Sequence, residues 1–201
     1  DEDPETNVPG YAVGTYSPDL LTYMFTGECD CGGVVLDDCG ECGGDNFTGC
    51  SDACAEGEVE LWDNCYSIEN TTVLDLGWEG TLGSIPPEIG LLTNLTFLDL
   101  EGTGLTGPIP EEIGLLTNLE HLTLGDNNFS GSIPESIGNL VNLENLQLQA
   151  CGLSGSIPES IGNLTSLTQL GLHVNQLSGS IPESIGNLTN LTGLGLHVNN
   201  L

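Results

Sequence analysis

The chain has 201 residues, 30 of them Asp or Glu, with no Lys or Arg and three His, for a formal net charge of −30. Nothing in it neutralises phosphates, which excludes nucleic acid and anionic membrane surfaces as partners, whereas multivalent cations, a salty medium or a cationic protein fit. No stretch approaches the roughly 18 apolar residues of a membrane span, so no membrane insertion is expected, and the start at Asp1 reads as a chain relieved of a signal peptide.

In chain order, residues 1–28 carry β-prone patches and three tyrosines and read as an extended N-terminal segment, either a linker or an arm that adds to a neighbour's sheet edge. Residues 29–54 form a Cys/Gly/Asp-rich module, "CDCGGVVLDDCGECGGDNFTGC" at its centre. So short and polar a stretch buries too little apolar surface to hold itself together without cross-links. Cys39-x2-Cys42 has zinc spacing, but Cys29-x-Cys31 and Cys50-x3-Cys54 do not complete a pair of zinc knuckles. Disulfides are therefore expected among Cys29, Cys31, Cys39, Cys42, Cys50, Cys54 and Cys65, an odd number that leaves one over. No cofactor is expected apart from calcium, for which Asp30, Asp37, Asp38 and Asp45 offer oxygen ligands without EF-hand spacing. The module is similar to Cys/Gly/Asp modules of secreted proteins of aquatic microbes.

From Val73 to Leu201 the sequence repeats every 24 residues without an insertion. Leu74, Leu98, Leu122, Leu146, Leu170 and Leu194 share one column, and Leu76, Leu100, Leu124, Leu148, Leu172 and Leu196 another. Ile-Pro recurs at 85–86, 109–110, 133–134, 157–158 and 181–182, and residues 153–176 match 177–200 at 21 of 24 positions. A fixed period of this length specifies a solenoid, because one unit cannot bury its own apolar face and must stack on the next. Leu-x-Leu predicts a short strand with alternate leucines inward. Ile-Pro-Glu-Ser-Ile-Gly-Asn-Leu predicts a 3-10 or short helical return, started by Pro and ended by Gly. The last repeat is unfinished, which suggests further repeats or a covering subunit.

The pattern L-x-x-L-x-L-x-x-N-x-L-x-G-x-I-P resembles the plant-type extracellular leucine-rich repeat over roughly residues 60–201, and "LWDNCYSIENTTVLDL" is similar to that family's N-terminal cap, here residues 55–72. The resemblance implies an α/β-type solenoid, with a parallel β-sheet on one face and 3-10 or short helical turns on the other, behind a small disulfide-rich N-terminal module. It also implies an inward asparagine ladder at Asn127, Cys151, Asn175 and Asn199, Cys being an accepted substitute. Cys151 is then a buried free thiol, and Glu79 and Thr103, in the same column, predict a looser start to the ladder.

No catalytic constellation is present. There is no Ser-centred elbow, and His173 and His197 form a pair that repeat duplication alone explains; a shared metal is the lesser reading. His121 reads as a lone surface residue. On the strand face one column runs Asp75, Asp99, Thr123, Gln147, Gly171, Gly195 and the next Gly77, Glu101, Gly125, Gln149, His173, His197, without a Trp, Tyr or Arg cluster. N-linked glycans are expected on sequons at Asn46, Asn70, Asn94, Asn128, Asn163, Asn187 and Asn190. The expectation is a secreted, non-enzymatic, acidic glycoprotein of the cell surface with a structural role, assembled head to tail with itself into a filament. The alternative is an extracellular recognition module that binds a protein, peptide or glycan on its strand face.

Overall fold

Twelve short strands and five 3-10 turns make up the described part of this computed structural model, residues 54–201. The segments 1–28 and 29–53, with Cys29, Cys31, Cys39, Cys42, Cys50, Asn46 and the calcium candidates Asp30, Asp37, Asp38 and Asp45, lie outside the described residues. The unit opens with an antiparallel hairpin, β1 (Glu58–Leu61) and β2 (Asn64–Ser67). Its two-residue turn holds Trp62 and Asp63 at φ of 50° and 60°, the type I′ geometry that matches strand twist. Cys54 is bonded to Cys65, so Cys54 belongs with the cap hairpin rather than with the preceding module. The Trp62 indole N–H donates to the Ser84 carbonyl at 2.9 Å and fastens this cap to the first repeat.

The main sheet is six-stranded and wholly parallel, in the order β3 (Val73–Asp75), β4 (Phe97–Asp99), β6 (His121–Thr123), β8 (Asn145–Gln147), β10 (Gln169–Gly171) and β12 (Gly193–Gly195). Every pair is in register at the repeat offset, Leu74 facing Leu98, then Leu122, Leu146, Leu170 and Leu194. Because side chains alternate along a strand, these leucines turn inward. Leu170 is 1% exposed, whereas Leu194 on the edge strand β12 is 46% exposed. Two smaller parallel pairs, β5 (Thr106–Gly107) with β7 (Asn128–Phe129) and β9 (Ser154–Gly155) with β11 (Gln176–Leu177), complete the coils.

The return segments are 3-10 turns at Pro87–Leu91, Glu111–Leu115, Glu135–Asn139, Glu159–Asn163 and Glu183–Asn187. A proline in extended conformation precedes each one; its fixed φ suits the start, and it has no N–H to leave unbonded. Each has Glu in its first turn, where the N-terminal partial charge is positive. Ile89, Ile113, Ile137 and Ile161 point into the core and are fully buried. The glycine of each segment does not end the turn, as the sequence suggested. Gly90, Gly114, Gly138 and Gly162 are buried inside it, against the next repeat: a methyl on Gly138 would stand 2.5 Å from both Cβ and the carbonyl oxygen of Ser160. The residue is small so that layers can approach.

Charge sets a solution property of this stack. With no Lys or Arg in the chain, carboxylates gain no cationic side-chain partner beyond three histidines, and self-repulsion opposes the compact state. Tm should rise with NaCl, and at lower concentration with CaCl2, by about 2–4 °C per kcal/mol of relieved repulsion. Equal Tm across both titrations would refute this.

Candidate functional site

The strand face is positioned from beneath by the polar column that follows each strand. The Asn175 side-chain carbonyl accepts the Cys151 and Leu153 N–H groups at 3.0 and 3.1 Å, while its amide donates to the Leu148 and Leu172 carbonyls at 2.7 and 3.0 Å. Asn127 donates to Leu100 and Leu124 and accepts from Leu105 N–H, and Asn199 accepts from Leu177 N–H and donates to Leu172 and Leu196. These bonds satisfy turn groups that stacking removes from water. Thr103 does not loosen the ladder: it is fully buried, and its hydroxyl donates to the Leu100 carbonyl at 2.8 Å. Glu79 is exposed and leaves the column.

Cys151 is a free, fully buried thiol whose Sγ contacts the Leu124 carbonyl at 3.1 Å. Burial pushes it up to about 12, against a lowering hydrogen bond from the Asn127 backbone. Since the thiolate is the reactive form, Cys151 should stay inert to Ellman's reagent in the folded protein and react on denaturation. Its contribution to stability is full below pH 9, where the unfolded thiol begins to ionise, and is lost as pH rises towards 12. Cys151→Asn should be tolerated, because its carbonyl would meet the N–H groups of residues 127 and 129 as Asn175 meets 151 and 153. Rapid labelling of native Cys151 would contradict the assignment.

Above this ladder the residue leaving each strand is left-handed: Trp78, Gly102, Asp126, Ala150, Val174 and Val198 have φ of 63°, 64°, 53°, 50°, 58° and 59°. The sequence columns stopped one position earlier and missed Trp78. It is 69% exposed, and its ring lies over Gly102, where a Cβ would meet the indole at 2.4 Å. The signal was there, since advancing the column by one position lines up Trp78 with a glycine in the next repeat. The neighbouring surface is acidic. A methyl on Gly77 would lie 3.1 Å from Asp99 Oδ1 and 3.6 Å from Asp75 Oδ1, so both carboxylates lean over that glycine. Asp99 is fixed by accepting the Glu101 N–H at 2.9 Å, and Gln149 donates to Glu101 Oε1 at 3.0 Å across Gly125. Burial first, then the charges of Asp99 and Asp126, raise the Glu101 carboxyl above its usual range, with the Gln149 bond acting oppositely.

His121 is not alone, as the sequence implied; it packs on Phe97, ring centres 5.9 Å apart. His173 and His197 stack with centres 4.6 Å apart and planes 16° from parallel. Their nitrogen lone pairs then lie in separate planes and do not converge on one ion. Among the described residues the one cluster of three metal-ligand groups is Cys54, Glu58 and Cys65, and its two sulfurs are joined.

The sequon asparagines separate into two kinds. Asn94 and Asn190 donate to the Glu69 and Thr165 carbonyls of the preceding repeat, as do Asn118 and Asn142, which are not sequons, to Thr93 and Thr117. That column packs repeats together. Asn163 and Asn187 close 3-10 turns and are exposed, as are Asn70, which donates to Ser67 Oγ at 3.0 Å, and Asn128 on β7.

Residues 64–200 match the family described as a leucine-rich repeat region. The chain belongs to the leucine-rich repeat family. A comparison with curated proteins gives no match. Among solved structures its leucine-rich repeats are similar to the ectodomain of the receptor kinase GASSHO1/SCHENGEN3 from Arabidopsis thaliana, solved with CASPARIAN STRIP INTEGRITY FACTOR 2. The identity is 42% over 60% of this chain and 14% of that one, with a TM-score of 0.56. A chain of the Arabidopsis thaliana BIR3–SERK2 complex is 33% identical over 72% of this chain and 74% of its own, TM-score 0.55. A chain of the Arabidopsis receptor kinase HAESA structure, with the peptide hormone IDA and the co-receptor SERK1, is 34% identical over 64% and 26%, TM-score 0.54. This chain therefore spans only a small part of the GASSHO1/SCHENGEN3 ectodomain. Among the described residues no helix is long and apolar enough to cross a membrane.

Proposed function

We propose that the repeat region is an extracellular, non-enzymatic recognition module that binds a protein or peptide on its strand face. The observation that carries this is the division of the surface. Six parallel strands run into turns whose backbone is held from beneath by the asparagine column, and no sequon falls on their face. Of the exposed sequons, Asn163 and Asn187 sit at the 3-10 turns and Asn128 on β7 of a smaller sheet. N-linked glycans on that flank would leave the strand face bare. The similar receptor ectodomains were solved with named protein and peptide partners, which favours this reading over the head-to-tail structural filament. Calcium, for which Asp30, Asp37, Asp38 and Asp45 of the Cys/Gly/Asp-rich module offer oxygen ligands, remains part of the proposal.

The test places a glycan where the partner should sit. Gln147→Asn with Gln149→Thr creates a sequon on the strand face. A partner captured from extracellular medium, purified, and rebound by the unmodified chain but not by this variant supports the reading. Equal rebinding by both chains overturns it, as do filaments of the unmodified chain in negative stain.

A further inference from the structure

The strand face is not uniform, and its first three repeats differ from the rest in a way that specifies a ligand chemistry. Trp78 offers a broad indole, and Val73, 57% exposed, lies on the same strand system. Phe97 and His121 pack along the neighbouring column with their ring planes 51° apart. Between these margins stand Asp75, Asp99 and Glu101, with Asp126 in Trp78's own column two repeats on. The later repeats replace them with Gln147, Gly171 and Gly195 in one column and with Ala150, Val174 and Val198 in another. The carboxylates are oriented, since Asp99 accepts the Glu101 N–H and Glu101 accepts from Gln149 while facing Asp126. No Lys or Arg exists anywhere in the chain to cover them.

We propose that this aromatic and acidic patch, centred on Trp78, Asp99 and Glu101, docks an extended arginine-bearing segment of a partner protein. The inference rests on the recognition reading above and names the partner's chemistry. A guanidinium is planar and weakly hydrated: it stacks on an indole face and at the same time donates in-plane to carboxylates. Trp78 supplies the face, and Asp99 and Glu101 supply acceptors whose own charges repel one another until a cation arrives. A compact ammonium would satisfy the charge but not the stacking. The glycines at 77, 102 and 125 make room for the side chains of Asp99, Trp78 and Gln149, which lie over them and form the surface the bound chain would meet.

Calorimetric titration of the full chain with a short peptide alternating arginine and glycine tests this, with lysine and citrulline versions as probes, in about 150 mM NaCl. The arginine peptide should bind, the lysine peptide about tenfold more weakly, and the neutral citrulline peptide not at all. Trp78→Ala, and the paired substitution Asp99→Asn with Glu101→Gln, should each weaken arginine-peptide binding about tenfold. Both keep the local hydrogen-bonding shape, and an unchanged melting curve verifies the fold. Glu183→Gln, in a 3-10 turn, should change nothing. The proposal is overturned if the arginine peptide does not bind, or if both face variants bind it as the unaltered chain does. The second result would mean that net charge alone attracts the peptide, and neither result decides whether another partner binds the strand face. Complete displacement of the peptide by calcium with no effect of Trp78→Ala would overturn it in favour of an ion site.

Discussion

Asn175→Leu should lower the unfolding free energy by about 3 kcal/mol or more, among the largest losses available from one side chain. The leucine fills a similar volume but leaves the Cys151 and Leu153 N–H groups without their acceptor and the Leu148 and Leu172 carbonyls without their donor. The chain contains its own milder alternatives. Threonine at 103 keeps one bond to a carbonyl, and cysteine at 151 keeps weak contacts through sulfur. The order of stability should therefore be Asn, then Thr and Cys, then Leu at position 175. Stacked repeats need not unfold as one unit, so amide exchange at Cys151 and Leu153 is the local measurement to set beside denaturant melts. A leucine variant as stable as the cysteine variant would show that these bonds contribute nothing net.

The second large effect contrasts two glycines that the sequence makes look equivalent. Gly138→Ala puts a methyl 2.5 Å from the Ser160 carbonyl, a backbone atom that cannot swing away. Such overpacking costs about 1–3 kcal/mol. At Gly186, in the same place of the last 3-10 turn, nothing lies within 4 Å of an added Cβ. There alanine should stabilise by about 0.4–1 kcal/mol, by restricting the unfolded chain. Opposite signs at the two sites, read by thermal melts of this 201-residue chain, are the expected result; two losses of equal size would mean that these glycines are chosen for their own backbone rather than for the neighbouring layer.

The glycine case also shows what the sequence could tell and what it could not. The strand leucines and the solenoid were legible because each depends on a residue's own place in the 24-residue period, whereas the inward polar column followed from the family resemblance. Leu122 faces Leu98 and Leu146 for the same reason that it recurs. Gly138 was misread because its reason lies in Ser160, a residue of the next layer. Thr103 was misread because a hydroxyl can take over one of the asparagine's bonds when the next rung, Asn127, supplies the rest. Trp78 was missed because left-handed backbone is expected at glycine, and this column uses it for tryptophan, aspartate, alanine and valine. That geometry aims the indole sideways over its neighbour, something no column of letters displays. The acidic part of the strand face was visible, and its aromatic anchor was not.

The constant register has a consequence for length. Residues 153–176 and 177–200 pair through the same partners offset by 24, so a further copy inserted between Gln176 and Leu177 would find its hydrogen-bonding and packing surfaces already complementary. Each copy would advance the sheet by one strand spacing, about 4.8 Å. The stack thus behaves as a ruler whose graduations can be added without re-cutting the ones already there. A gene that duplicates one unit moves the two ends of the sheet apart by a fixed step, while Trp78, Asp99 and Glu101 near one end keep their geometry unchanged.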